Sequence, residues 1–164
     1  MPEALRIHQA FQAGDLETLR SLAGEPSEFP NGSILPITTY PLAYAIYHSP
    51  LPFIRTLLDL GADPNYHDEG SFPSLLAALS TDREDRHAIV EMLLAAGADI
   101  QQRGVNDWTP LHYAAARNDA RAVELLLAEG ADPAARTRID ELTTPLEEAE
   151  RLGHREVVEI LRQA

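Results

Sequence analysis

Four stretches of the chain carry one apolar stripe. Phe53-Ile54-x-x-Leu57-Leu58, Ile89-Val90-x-x-Leu93-Leu94 and Ala122-Val123-x-x-Leu126-Leu127 place apolar side chains at i, i+1, i+4 and i+5, and Val157-Val158-x-x-Leu161 follows the same pattern up to its last position. That period lays a single apolar face along a helix and leaves polar residues opposite. Three of these helices run into one phrase, Leu57-Leu58-Asp59-Leu60-Gly61-Ala62-Asp63, Leu93-Leu94-Ala95-Ala96-Gly97-Ala98-Asp99 and Leu126-Leu127-Ala128-Glu129-Gly130-Ala131-Asp132. Its glycines lie 36 and 33 residues apart, a period that fits one supersecondary unit per repeat. Each glycine falls where a helix is expected to end in the left-handed conformation that glycine adopts at little cost.

A second phrase interleaves with the first. Pro41-Leu42-Ala43-Tyr44-Ala45, Pro73-Ser74-Leu75-Leu76-Ala77, Pro110-Leu111-His112-Tyr113-Ala114 and Pro145-Leu146-Glu147-Glu148-Ala149 each set a proline four residues before an alanine. Thr109 and Thr144 stand where a side-chain oxygen accepts from the free amides of a first helical turn, and Pro110 and Pro145 pre-set φ at the first helical position. The alanines strip bulk from one face, so short helices are expected to stack closely.

The residues 109 to 115, Thr-Pro-Leu-His-Tyr-Ala-Ala, together with the three Gly-Ala-Asp turns, resemble the ankyrin repeat family. The resemblance covers residues 40 to 164, and Gly14-Asp15-Leu16-Glu17-Thr18-Leu19 extends it weakly to the N-terminus. It implies an all-α fold, an ankyrin-repeat solenoid of about five stacked helix-turn-helix units with hairpin-like turns, in one domain over 1–164. The units are placed at about 2–33, 34–67, 68–103, 104–138 and 139–164. Tyr40 and Phe72 replace the capping Thr, while Ala43, Leu75 and Glu147 replace the His found as His112, so units two, three and five are expected to lose that polar link. Residues 81–84 read as an insertion and residues 24–39 as a long turn, each a candidate contact element. Arg162 takes the place of a second Leu, as a polar outer face on a terminal unit requires.

Composition narrows the function. The 164 residues are 45% hydrophobic, enough to bury a core in one domain, and contain no cysteine, hence no disulfide framework or thiolate chemistry. Charged residues break up residues 1–20, so no secretory signal is read, and no stretch is long and apolar enough to span a membrane; a cytoplasmic protein is expected. The formal net charge is -13, with 26 Asp plus Glu against 13 basic residues, all Arg. Such a field disfavours nucleic acid and anionic membranes and would speed encounter with a basic protein, although solubility alone accounts for many acidic chains. Arg without Lys, beside abundant Ala and Leu, suggests a GC-rich bacterial genome.

No catalytic constellation emerges. His8, His48, His67, His87, His112 and His154 never take the i, i+4 spacing of a helical metal pair. His112 is assigned to hydrogen bonding within the stack. Ser33, Ser71, Ser74 and Ser80 lack a glycine elbow, and no phosphate-binding glycine loop is present. Glu147, Glu148 and Glu150 are read as a solvated helix face, and Asn31-Gly32-Ser33 as a turn. No cofactor, metal or catalytic residue is expected, and the family resemblance implies a non-enzymatic module.

In proteins that resemble this one, partners bind the concave side formed by the turn tips and the first helices. Carried over by position, the partner-binding set is Tyr47, His48, Tyr66, His67, Asp68, Glu69, Ser71, Leu79, Ser80, Gln102, Arg103, Val105, Asn106, Trp108, Arg117, Arg136, Arg138 and Asp140. Trp108, the single tryptophan, is read either as an exposed hot spot or as a ring lying flat on the neighbouring turn. Arg103, Arg117, Arg136 and Arg138 are candidates to read carboxylates on a partner. The resulting expectation is a scaffold, monomeric when free, that binds another protein. That partner is a basic toxin or effector which the chain neutralises as an immunity protein, or an enzyme or assembly for which it serves as a cytoplasmic adaptor; a degenerate hydrolase or metal protein is the minor alternative.

Overall fold

A computed structural model describes residues 2–22, 28–32, 34, 40–66, 72–104, 106–138 and 142–164. Ten helices are placed among them: α1 (Glu3–Ala13), α2 (Leu16–Leu22), α3 (Pro41–His48), α4 (Leu51–Asp59), α5 (Ser74–Ser80), α6 (Arg86–Ala95), α7 (Pro110–Ala116), α8 (Ala120–Ala128), α9 (Pro145–Leu152) and α10 (Arg155–Gln163). Consecutive helices pack in pairs. The first helices then form one row, α1–α3–α5–α7–α9, and the second helices α4–α6–α8–α10 another. The architecture is the all-α repeat solenoid that the two interleaved phrases predict.

Each phrase does what its chemistry suggests. Ala45, Ala77, Ala114 and Ala149 are fully or almost fully buried between first helices, while Ile54, Leu57, Ile89, Val90, Leu93, Val123, Leu126 and Val157 fill the space beneath them. α5 is covered on every side over Ser74–Leu79. The first helices α3, α5, α7 and α9 have 7 to 8 residues and the second helices α4, α6, α8 and α10 have 9 to 10. The shorter, Ala-lined row packs more closely than the longer one. Gly61, Gly97 and Gly130 close the second helices at φ 89°, 90° and 91°, a conformation that a Cβ penalises even though open space surrounds each position.

Polar side chains join successive pairs at fixed places. Nδ1 of His112 meets the Thr109 hydroxyl at 2.8 Å, and its Nε2–H donates to the Thr143 carbonyl at 2.9 Å. Unit five keeps an equivalent cap: the Thr144 N–H donates to Glu147 Oε2 at 2.8 Å, and the Glu147 N–H to Thr144 Oγ1 at 3.2 Å. The expected loss there is therefore corrected, because a Glu at this position closes the capping box that His112 closes in unit four. α3 and α5 do lack a side-chain cap. Glu148 is also corrected: it is not a solvated residue but 3% exposed, sitting on the packed side of α9 with its carboxylate paired to Arg151.

Two asparagines staple the turns. Asn31 donates to the Gly61 carbonyl at 2.9 Å and accepts from the Asp63 N–H at 2.7 Å; Asn65 does the same for Gly97 and Asp99 at 2.9 and 2.6 Å. Gln101 and Ala134 take the corresponding place after the next two Gly-Ala-Asp turns. The inserted loop after α5 is a fastening as well, since the Arg83 guanidinium donates to the carbonyls of Ile46 at 3.3 Å and Ser49 at 2.6 Å while chelated by Asp85.

Asp119 is the densest of these joints. It caps α8 by accepting from the Ala122 N–H at 3.1 Å, and it receives Arg86 at 2.8 Å and His87 at 2.8 Å from α6. Burial works to raise its carboxyl, but the hydrogen bonds from Arg86 and His87 outweigh that and hold it below the ordinary carboxylate value. We predict that Asp119→Ala, which removes a cap and strands the partly buried Arg86 guanidinium and the His87 ring, lowers unfolding free energy by about 2–3 kcal/mol in urea titrations. A loss below about 0.5 kcal/mol would show that the joint contributes no more than a surface pair.

Candidate functional site

The face presented by the first helices is uncharged at its centre. α3, α5 and α7 read Pro-Leu-Ala-Tyr-Ala-Ile-Tyr-His, Ser-Leu-Leu-Ala-Ala-Leu-Ser and Pro-Leu-His-Tyr-Ala-Ala-Ala, with no Asp, Glu, Lys or Arg. Their alanines and leucines are consumed in stacking, so the tyrosines and His48 provide what remains. Tyr47 is 43% exposed, and its hydroxyl lies 3.0 Å from Ser80 Oγ across to α5. His48 is exposed beside it and packs on Tyr44, ring centres 4.4 Å apart. Half-buried Tyr113, Phe72 and Trp108 continue the run: Tyr113 meets Phe72 edge-on at 5.5 Å and Trp108 edge-on at 5.2 Å. Burial pushes the Tyr113 phenol up; its bond to Asn106 opposes this and nearby Tyr47 reinforces it.

Trp108 is half-buried. Its ring stacks over His112 at 6.3 Å and remains partly open to solvent. At the turn tips, Tyr66 is 40% exposed and leans on Tyr40 at 4.0 Å, their hydroxyls 2.8 Å apart. Gln102 donates to the Asn65 carbonyl at 3.1 Å, and Asn106 accepts from the Tyr113 hydroxyl at 3.3 Å. Leu79 is corrected: at 1% exposure it is a core residue that no partner can touch, because α6 and the neighbouring first helices enclose α5. His67, Asp68, Glu69, Ser71, Val105 and Asp140 lie outside the described residues.

The four arginines assigned to a partner are engaged within the chain. Arg117 pairs with Asp82 at 2.5 Å, and Arg136 pairs with Glu147 at 3.0 Å while donating to the Leu142 carbonyl at 2.7 Å. Arg103 and Arg138 converge on Asp107, at 3.0 and 2.6 Å, and the Arg138 N–H donates to the same carboxylate. Arg103 also donates to the Arg136 carbonyl at 2.9 Å, which ties one tip to the next. Among the described residues nine arginines form ion pairs with Asp or Glu. The negative charge is consequently left in excess on the rest of the surface, with Asp63, Asp99 and Asp132 recurring on exposed turns.

The sequence reading passed over Tyr44, Tyr113, Phe72 and His8. The first two were legible as the Pro-Leu-x-Tyr-Ala phrase at 41–45 and 110–114, where a tyrosine three residues after the proline falls beside, not on, the alanine face. On the opposite side of the stack a groove of about 500 Å³ runs between α4 and α6, floored by Leu51, Leu58, Ala88 and Met92 and edged by Arg55, Asp59 and Glu91. Its charges are mixed and its floor lacks aromatic rings.

A family model for three ankyrin repeats matches residues 75–164. The chain belongs to the ankyrin repeat family. Ankyrin repeats are protein-interaction scaffolds and in general non-catalytic. Among curated proteins, 94 residues are 38% identical to alpha-latroinsectotoxin-Lt1a of Latrodectus tredecimguttatus, over 56% of this chain and 6% of that protein. Another 90-residue match is 36% identical to SH3 and multiple ankyrin repeat domains protein 2 of Homo sapiens, over 54% of this chain and 5% of that one. A third, to the transient receptor potential channel pyrexia of Drosophila melanogaster, is 32% identical across 93 residues, 57% of this chain and 9% of the channel. The chain thus spans less than a tenth of these relatives, and what it shares with them is the repeat itself. No helix among the described residues is long and apolar enough to cross a membrane.

Asp107 has a pH signature. It holds a left-handed backbone at φ 61° and is 6% exposed. The Arg138 guanidinium, against the cost of burial and with Arg103 adding, holds its carboxyl down to about 2. A depressed carboxylate adds stability above its unfolded value near 4 and loses it as pH falls toward the folded value. The stability difference between the wild-type chain and Asp107→Asn, measured by urea unfolding, is therefore expected to shrink from pH 5 to pH 2.5. A constant difference would assign the effect to shape rather than charge.

Proposed function

We propose that the chain is a non-catalytic scaffold that recognises one specific protein through the face of its first helices and the adjoining turn tips. The observation that carries this is the run of exposed Tyr47 and His48 and half-buried Tyr113 and Trp108 on the uncharged first helices and a turn tip. Tyrosine and tryptophan provide large contact area at small entropic cost and dominate interface energies. The arginines named from the sequence act here as braces that hold the tips in register, so the contact residues proposed are the aromatic ones together with Ser80 and Asn106.

The partner's chemistry follows from the charge. With a net of -13 and most arginines neutralised internally, the chain attracts a basic protein, while its uncharged centre calls for an apolar or aromatic patch on that protein. Neutralisation of a basic cytoplasmic toxin or effector, as an immunity protein, is the specific form we favour over a general adaptor. The relatives' own partners play no part in this reading.

A photo-crosslinking residue placed at Tyr47, with another at Arg55 on the opposite face as control, tests the surface in native lysate. Capture of one protein from position 47 and not from 55 is expected, and Tyr47→Ala should weaken its binding at least about tenfold without changing the thermal midpoint. Equal capture from both positions would refute the assignment. Co-expression separates the two biological forms: rescue from the captured protein's toxicity supports immunity, and a harmless captured protein supports an adaptor.

A further inference from the structure

The α3 helix ends differently from α1 and α9. Those two close on Gly14 and Gly153 in the left-handed conformation, and each glycine N–H reaches back to two carbonyls of the preceding turn. α3 closes instead on extended Ser49, whose N–H bonds only the Ala45 carbonyl, and Pro50 behind it has no N–H to add. The carbonyls of Ile46 and Ser49 need a donor from elsewhere in the chain. Ser49 is 2% exposed, so water has little access to it.

The donor is Arg83, from the loop inserted after α5. Its Nη1 donates to the Ser49 carbonyl at 2.6 Å and to the Ile46 carbonyl at 3.3 Å, while Nε and Nη2 each donate to one oxygen of Asp85 at 2.7 Å. The Asp85 carboxylate fixes the plane of the guanidinium, and a cation at the end of a helix meets the negative end of its dipole. With its side chain only 20% exposed, Arg83 points inward. The two residues that lie between Ile46 and Ser49 are Tyr47 and His48, the exposed pair on α3. Tyr47 is tied to the same segment a second time, through Oγ of Ser80 at 3.0 Å, the residue that directly precedes the insertion.

We propose that Arg83 is a positioning residue for partner recognition: from the third unit it fixes the last turn of α3 and holds Tyr47 and His48 in one orientation before a partner arrives. This rests on the aromatic face argued above. A surface ordered in advance loses less freedom on docking and binds more tightly through the same contacts. The insertion thereby acts on recognition through α3 and without a contact between Arg83 and the partner. Lysine does not replace it, because an ammonium lacks the planar fork that serves a carboxylate and two carbonyls at once.

Amide hydrogen exchange of the free full chain tests the hold, and affinity for the protein that crosslinks at position 47 tests its consequence. In Arg83→Gln, exchange at Tyr47, His48 and Ser49 is expected to rise at least about tenfold while α8 and α10 keep their wild-type protection. Affinity should fall about tenfold, and in the Tyr47→Ala background Arg83→Gln should lower it much less, because it acts through that ring. Arg83→Lys should move both readouts in the same direction by a smaller factor. Arg121→Gln removes an equal charge from a largely exposed pair with Glu91 and should change neither. Unchanged exchange at residues 47–49 in Arg83→Gln overturns the proposal, whatever binds. Faster exchange with unaltered affinity, or losses that add fully in the double variant, also overturns it and leaves Arg83 a structural brace. If no protein crosslinks at position 47, or Tyr47→Ala binds as tightly as the wild-type chain, the aromatic face itself fails and the recognition role of Arg83 with it, even where exchange rises.

Discussion

A pair of helices seven to eleven residues long has an apolar stripe on two sides and only its own partner to cover one of them. The other can be buried only by the next pair, so the contact between neighbouring pairs is the constraint on which everything else here rests. It explains the alanines at 45, 77, 114 and 149, which bring the first helices close, and the leucines and isoleucines beneath them. It also explains why the polar joints cluster where one pair meets the next: Asn31 and Asn65 at the turns, His112 at a helix start, Asp119 between helix N-termini.

Stacking also determines which residues are left for recognition. Once a helix gives its alanines and leucines to its neighbours, only one narrow strip of it faces outward; on α3 that strip carries Tyr47 and His48, and on α7 the half-buried Tyr113. The tips depend on the same economy of contacts. Asp107 sits in a left-handed backbone with two arginines from different tips upon it, so a cation that looks available on paper is a strut in the folded chain.

The fold was legible because its signals are local: a stripe with helical period, a glycine after the second helices α4, α6 and α8 and a proline at the start of the first helices all lie within a few residues. The site was legible only in part. Tyr47, His48 and Tyr66 are exposed at the positions the family pattern gives them, while Leu79 looked equivalent and is buried, because α6 and the neighbouring first helices enclose α5. Whether Arg103, Arg117, Arg136 and Arg138 are paired depends on carboxylates 4 to 35 residues away, and no window of sequence shows which of them meet. The same holds for Glu148 and for Arg83, whose acceptors on α3 lie 37 and 34 residues away.

On the proposed reading, the absence of Asp, Glu, Lys and Arg from α3, α5 and α7, within a chain of net charge -13, would divide recognition of a basic partner into two physical stages. The surplus charge acts at a distance and is screened by ions, whereas the docked contact joins uncharged rings that salt leaves almost untouched. Ionic strength therefore governs how fast a basic partner arrives and hardly how long it stays. A complex of this kind forms slowly in a salty compartment but, once formed, outlasts the conditions that allowed it to assemble.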